Sequence, residues 1–471
     1  MTTAQKFDLV VIGSGPAAEK GAAQAAYFGK KVAVVERAAA LGGACVHTGT
    51  LPSKTLREAA LYLTGFQKRH LYGMTVEIDR TLSLRRIMGR LHTVIQTQEQ
   101  EVRANLDRHG VALIHGEASF LSPSEVMVRA EGSDEIRLSG ACFLIATGSS
   151  PHRPPGVPFS DPDVEDSDGI LDLDRIPDAL AVVGGGVIGC EYACLFAALG
   201  TRITLIERDR LIGALDSELS EVLRQALEQA GHQVLLGDAV ERIHRVPAGP
   251  IHIELKSGRV LEVDKVLYSA GRAGNTTQLH LEQAGISPDS RGRILVDEHF
   301  QTSVPHIYAA WDVVGFPALA SVSMEQGRVA VCHAFGFSYK THVSPITPYG
   351  IFTIPEASMV GATENDLKKT GTPYEVGRAR YAGNARGQII GDTDGLLKLV
   401  FEVPTKRLLG VHIIGERATE LVHIGQMVME FGGTIDTFID CVFNFPTLSE
   451  IYKYAAYDGL GRLARRLAPV A

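Results

Sequence analysis

Residues 41–54 read LGGACVHTGTLPSK and set one thiol, Cys45, near a hydroxyl, Thr50, and an ammonium, Lys54. A glycine pair followed by a cysteine and a lysine suits redox chemistry, because a thiolate exchanges with disulfides and a fixed cation stabilises developing negative charge. The second cysteine that thiol exchange requires is absent from this stretch. His47 lies between the thiol and the lysine, and a lone histidine is more often a packed, hydrogen-bonded residue than a catalyst.

Two glycine turns offer a different chemistry. Gly13, Gly15 and Ala18 form a G-x-G-x-x-A pattern, and Gly184, Gly186 and Gly189 form G-x-G-x-x-G. Each follows an apolar run and opens a stretch of small residues, so backbone amides can meet a pyrophosphate where a helix N-terminus favours its charge. Glu36 and Glu207 each end the next apolar run, about 20 residues on, where a carboxylate accepts hydrogen bonds from a ribose diol. Bare glycines would mark only turns, but strand, helix and acid agree twice, which predicts two dinucleotide sites. Glu207 suits the free ribose of NAD, whereas Arg208 and Arg210 could pair with the 2′-phosphate of NADP or stand as solvated surface charges.

The positioning elements follow from periodicity. Phe7 to Ile12 is a buried strand, the small-residue helix ends near Gly29, and KVAVVE is a second strand; residues 179–207 repeat the unit. Helical periodicity runs over Pro52 to Gln67 and Thr81 to His109. From Ser344 onward no phosphate-type glycine turn recurs, and antiparallel strands are expected around a turn at Pro404 to Arg407.

Composition bounds the remaining choices. A chain of 471 residues exceeds the roughly 250–300 residues that one core usually serves. A net charge of −8 offers no broad attraction to nucleic acid or anionic lipid. The N-terminal segment lacks a basic and apolar leader, and no uncharged apolar run reaches the ~20 residues of a membrane span, so a cytoplasmic chain is expected. Six scattered cysteines without a CxxC pair fit a reducing compartment, and Cys190 with Cys194 read as two packed thiols; no metal is expected.

GGACVHTGTLPSK, FLIATG, VLYSAGR, HIYAAWDV and FNFPTLSE, in this order, resemble the flavin-dependent pyridine nucleotide-disulfide oxidoreductases over nearly the whole chain. The resemblance implies an α/β, glutathione reductase-like fold of two Rossmann-like dinucleotide-binding domains plus a C-terminal α+β dimerisation domain. It implies an FAD-binding domain over 1–154 and 274–345, an NAD(P)-binding domain over 155–273 and a dimerisation domain over 346–471. Gly13, Gly15, Ala18, Glu36, Gly43, Thr147 and Asp312 match FAD-contacting motifs, Lys54 matches the lysine beside flavin N5, and Glu191 matches its carboxylate partner. The implied cofactor-contacting set also includes Arg37, Gly42, Cys45, Thr50, Gly116, Gly148, Val187, Ile188 and Gly271.

The departures narrow the reaction. Disulfide reductases place two cysteines in the 41–54 helix, and Thr50 holds one of those positions; a hydroxyl cannot store electrons as a disulfide. Where the family has a proton-shuttling histidine before proline, this chain has Phe445 before Pro446, with Glu450 retained. Trp311 replaces the glycine before Asp312. Cysteine-to-threonine exchange with PSK retained, and FNFPT, resemble the soluble, Si-specific NAD(P)+ transhydrogenases within the family. That implies ping-pong hydride transfer between NADPH and NAD through FAD in a homodimer, with higher assembly left open. Competing readings are a diaphorase or quinone reductase, a peroxide or oxygen reductase using Cys45, and a non-catalytic redox sensor.

Overall fold

The chain is described here by a computed structural model covering residues 4–64, 73, 80–132, 134–172, 175–315 and 317–467. Three large sheets, of seven, five and five strands, organise it. In the first, Ala112–His115, Val32–Glu36, Gln5–Ile12 and Ile136–Ile145 lie side by side and parallel, and Glu125–Arg129 with Glu117–Ser122 extends the edge as an antiparallel hairpin. Ile307–Ala309 joins this sheet beside Ile136–Ile145, so the chain returns to it after building the second unit. Leu9, Val10 and Val11 are buried on successive positions, as a parallel strand covered on both faces requires.

The helix after the first strand, Pro16–Tyr27, begins with proline at its first turn and carries Ala17, Ala18, Gly21 and Ala22 toward the interior. Small residues are needed because Ala320–Phe335 crosses it closely: a methyl on Gly327 would come within 2.2 Å of the Ala17 carbonyl oxygen. Helical periodicity is realised over Thr50–Thr64 and Arg80–Arg108; the expected end at Gln67 lies outside the described residues.

The second sheet is parallel throughout, in the order Gln233–Leu236, Arg202–Glu207, Ala179–Val183, Lys265–Tyr268, Val164–Glu165. An antiparallel sheet of Val240–Arg245, Ile251–Leu255 and Val260–Val263 packs against it. The third sheet is antiparallel, in the order Tyr349–Ile351, Ala357–Gly361, Leu408–Ile414, Leu396–Glu402, Tyr374–Arg380. Its central hairpin turns between Glu402 and Leu408, at the expected place. Helices Ala418–Glu430 and Ile451–Leu467 contribute Val422, Tyr452 and Ala455 to the core over this sheet.

Candidate active site

At the first turn Gly13 has φ +105°, and a side chain there would strike the Ala146 carbonyl oxygen at 2.4 Å. Ser14 Oγ donates to Glu36 Oε2 (2.6 Å) and accepts from the Gly42 N–H (3.0 Å). The turn, the acid and the 41–54 segment are thus tied together. The Ala38 N–H also donates to Glu36 (2.8 Å). Ala18 is fully buried inside the helix. Arg37 lies at the surface in an ion pair with Glu117 (3.7 Å), and the Gly116 N–H bonds the Glu36 carbonyl (2.9 Å).

The second turn repeats the first with tighter backbone support. A methyl on Gly189 would come 1.9 Å from the Gly184 carbonyl oxygen, so only glycine lets the helix Val187–Ala198 start there. Glu207 Oε2 accepts from the Gly185 N–H (2.6 Å), and Oε1 accepts from the Arg208 and Asp209 N–H groups (2.7 and 3.2 Å). Arg208 is exposed and lines the adjoining cavity, whereas Arg210 donates to the Gly213 carbonyl and stands apart from that lining. Lys256, which sequence reasoning missed for want of any motif, lines the cavity together with Arg208.

Beside the second turn lies a cavity of about 930 Å³, lined by Cys45, Thr50, Lys54, Gly184, Gly186, Val187, Ile188, Glu191, Glu207, Gly271 and Asp312 among others. It brings residues of the 44–54 segment together with residues of the second and third sheets. Lys54 Nζ, in the first turns of Thr50–Thr64, donates to Glu191 Oε2 at 2.7 Å; Glu191 Oε1 accepts from the Phe352 N–H at 2.9 Å. The ammonium also sits 5.0 Å from the centre of the Phe352 ring. Phe352 and Tyr349 carried no sequence signal, since nothing in YGIFT marks a ligand site.

Cys45 is buried, and burial pushes its thiol pKa up, against the opposing pull of Thr50 and Lys54. The nucleophilic thiolate is therefore disfavoured. Thr50 offers only a hydroxyl, and Phe445 is 72% exposed in the single chain. His47 hydrogen-bonds the Leu41 carbonyl (2.8 Å), a structural task. Cys190 donates to the Gly185 carbonyl (3.3 Å) and Cys194 to the Ile354 carbonyl (3.6 Å), and burial raises both pKa values, Cys194 to about 12. Among the described residues no group of three His, Cys, Asp or Glu side chains is placed to hold a metal.

Two flavin-motif residues carry unmet hydrogen-bonding capacity. Thr147 Oγ1 and Asp312 Oδ1 are buried without a partner among the described residues, and such atoms ordinarily bond a ligand or water. Asp312 Oδ2 accepts from Ser149 Oγ (2.8 Å), which accepts from Arg272 Nε (2.8 Å). Burial raises the Asp312 pKa, with Ser149 and Arg272 opposing. A donor and an acceptor aimed beside a glycine turn fit the hydroxyls and phosphates of FAD. Gly42, Gly43 and Gly148 all take positive φ around them (108°, 58° and 68°). Trp311 is the one bulky member of this group, buried and at φ +77°.

The model of the pyridine nucleotide-disulphide oxidoreductases matches residues 7–327, and that of their dimerisation domain matches 347–456. The chain is 48% identical over 461 residues to the soluble pyridine nucleotide transhydrogenase of Mycobacterium bovis (strain BCG / Pasteur 1173P2), covering 98% of each. It is 42% identical to the protein of that name from Pectobacterium atrosepticum, covering 97% of this chain and 98% of the other. Among solved structures, LpdA from Mycobacterium tuberculosis superposes with a TM-score of 0.87 at 26% identity, over 98% of this chain and all of LpdA. The HOCl-induced flavoprotein disulfide reductase RclA from Escherichia coli gives 0.85 at 29%, over 95% and 98%. The chain therefore belongs to the pyridine nucleotide-disulphide oxidoreductase family.

Proposed function

We propose that this chain is a soluble, FAD-dependent pyridine nucleotide transhydrogenase that moves a hydride from NADPH to NAD+, giving NADP+ and NADH. The observation that carries the reading is the replacement of disulfide chemistry around an intact charge pair. Cys45 is buried beside Thr50 instead of a second thiol, Phe445 stands where the family has its proton shuttle, and Lys54 remains paired with Glu191. FAD, when bound, accepts hydride from one nicotinamide and yields it to the next.

The chain's own residues bind, orient and balance charge. Gly13, Gly15, Ser14 and Glu36 would hold the adenosine and pyrophosphate part of FAD, and Thr147 and Asp312 its remaining polar groups. Lys54 supplies a fixed positive charge where negative charge develops during transfer, and Glu191 prevents the ammonium from turning away. The nucleotide substrates enter at Gly184, Gly186 and Gly189, with Glu207 on the ribose diol and Arg208 beside its 2′ position. Both substrates use one pocket in turn, so the cycle is ping-pong. Neither step requires a proton from the protein, which agrees with the loss of a histidine at 445.

The FAD-binding domain comprises residues 1–154 and 274–345, the NAD(P)-binding domain 155–273, and the dimerisation domain 346–471. The chain acts in the cytoplasm as a homodimer. Among the described residues no helix is long and apolar enough to cross a membrane. Anaerobic transfer from NADPH to a thio-analogue of NAD, measured beside oxidised glutathione and lipoamide with NADH, tests the reading. Rapid nucleotide exchange and inert disulfides are expected; turnover of either disulfide would overturn it.

A further inference from the structure

The chain's one tryptophan sits in the first dinucleotide cradle. Trp311 is buried at φ +77°, a conformation that bulky residues rarely adopt, and its backbone N–H donates to the buried Gln326 Oε1 at 2.7 Å. The indole lies directly on Gly15: a methyl there would come 2.0 Å from Trp311 Cζ3. Methyls on Gly43 and Gly148 would each come 3.5 Å from the same ring. A glycine turn binds pyrophosphate by letting it approach the backbone, and a ring in contact with Gly15 takes part of that approach. The residues following Gly148 and Trp311 in the chain, Ser149 and Asp312, bond one another, and among the described residues Asp312 Oδ1 and Thr147 Oγ1 have no partner.

We propose that Trp311 is a flap over the FAD site: its indole packs into the glycine cradle and must leave it before the pyrophosphate can seat. Room to move exists, because Trp311 also lines the 930 Å³ cavity. The flap makes FAD uptake slow and FAD binding weak relative to a chain with glycine at this position. This inference rests on the FAD reading above and adds a specificity-determining residue to it.

The test is FAD association with the full chain stripped of flavin, followed by stopped flow and by equilibrium dialysis. In the unaltered chain the observed rate should level off with rising FAD concentration, because opening precedes binding. Trp311→Gly should give a rate that stays proportional to concentration and a Kd at least tenfold lower, while Trp311→Phe, which keeps a ring in the cradle, should bind weakly. Glycine is at home at positive φ, so that variant relieves the backbone. A rate proportional to FAD concentration in the unaltered chain overturns the flap without recourse to any variant. Equal FAD affinity in the unaltered chain and Trp311→Gly also overturns the flap but leaves the flavoprotein reading standing, whereas failure of both to take up FAD removes both.

Discussion

Replacing Lys398 with methionine should loosen the second dinucleotide unit from the third sheet. Lys398 lies in the strand Leu396–Glu402, its side chain 1% exposed, with Nζ 2.9 and 3.0 Å from the two oxygens of the equally buried Asp216. Glu364 Oε1 is 2.5 Å away and Glu218 Oε2 3.3 Å, and Arg378 bridges the same two glutamates. Asp216 caps the helix Ser217–Gln229 of the second unit by accepting from the Glu218 N–H. Two cations thus face three carboxylates across the joint. Removing one partner of a fully buried pair costs roughly 3–5 kcal/mol. Glu218 and Glu364 are 29% and 20% exposed and can turn to water, which favours the lower end, about 3 kcal/mol. At 1.4 kcal/mol per decade this is a loss of roughly 10²-fold in amide protection over Ser217–Gln229, read by hydrogen exchange at pH 7. Adding Asp216→Asn should restore part of the protection, because it removes the stranded charge. The Asp216 and Glu364 pKa values are lowered and that of Lys398 is raised. Their stabilisation is therefore lost as pH falls through the acid range or rises beyond the lysine range. The difference between the chains should be greatest between about pH 5 and 10. A loss below threefold, or a double variant weaker than the single, would refute the reasoning.

Arg208→Ala should raise the KM for NADPH roughly tenfold and leave that for NADH within about twofold, since a charge-assisted phosphate contact at an exposed site is worth about 1.4 kcal/mol. Adding Arg210→Ala should contribute little, because Arg210 is engaged with Gly213; steady-state kinetics with each nucleotide check both. Lys54→Met should slow both hydride steps by about 10²–10³-fold in stopped flow, the range for losing one preorganised charge contact, and Lys54→Arg should recover part. Cys45 should resist iodoacetamide at pH 7 while the exposed Cys441 reacts, because burial holds the Cys45 thiol protonated. Peptide mapping after alkylation reads the difference, and Cys45→Ser should retain most of the transfer activity.

Much of the site was legible because it is built from local patterns. An apolar run, a glycine turn and a small-residue helix recur at 7–27 and 179–198, and the structure builds both units as strand, turn and helix. Glu36 and Glu207 were legible for the same reason, as strand-ending acids. Contacts across long sequence separations were not. Phe352 meets Glu191 only because the third sheet docks there, and Lys256 reaches the cavity from the end of Ile251–Leu255. Ile307–Ala309 is too short to signal a strand, yet it completes the first sheet in parallel with Ile136–Ile145. The two arginines after Glu207 looked equivalent in sequence; the turn at Gly213 separates them by giving one a carbonyl to bind.

That separation bears on how, on the proposed reading, one pocket would serve two nucleotides. Glu207 is held by three backbone N–H groups and cannot swing aside when a 2′-phosphate arrives. Arg208, exposed at the cavity, would on the proposed reading approach that phosphate or withdraw from a free ribose. A rigid acid would disfavour NADP if it acted alone, and a rigid base would disfavour NAD. On the proposed reading, pairing a fixed carboxylate with an adjustable guanidinium would keep the two affinities close, which a two-step exchange needs because the slower half sets the turnover. On this argument, rigidifying Arg208 would slow the NAD half of the cycle as surely as deleting it would weaken the NADPH half.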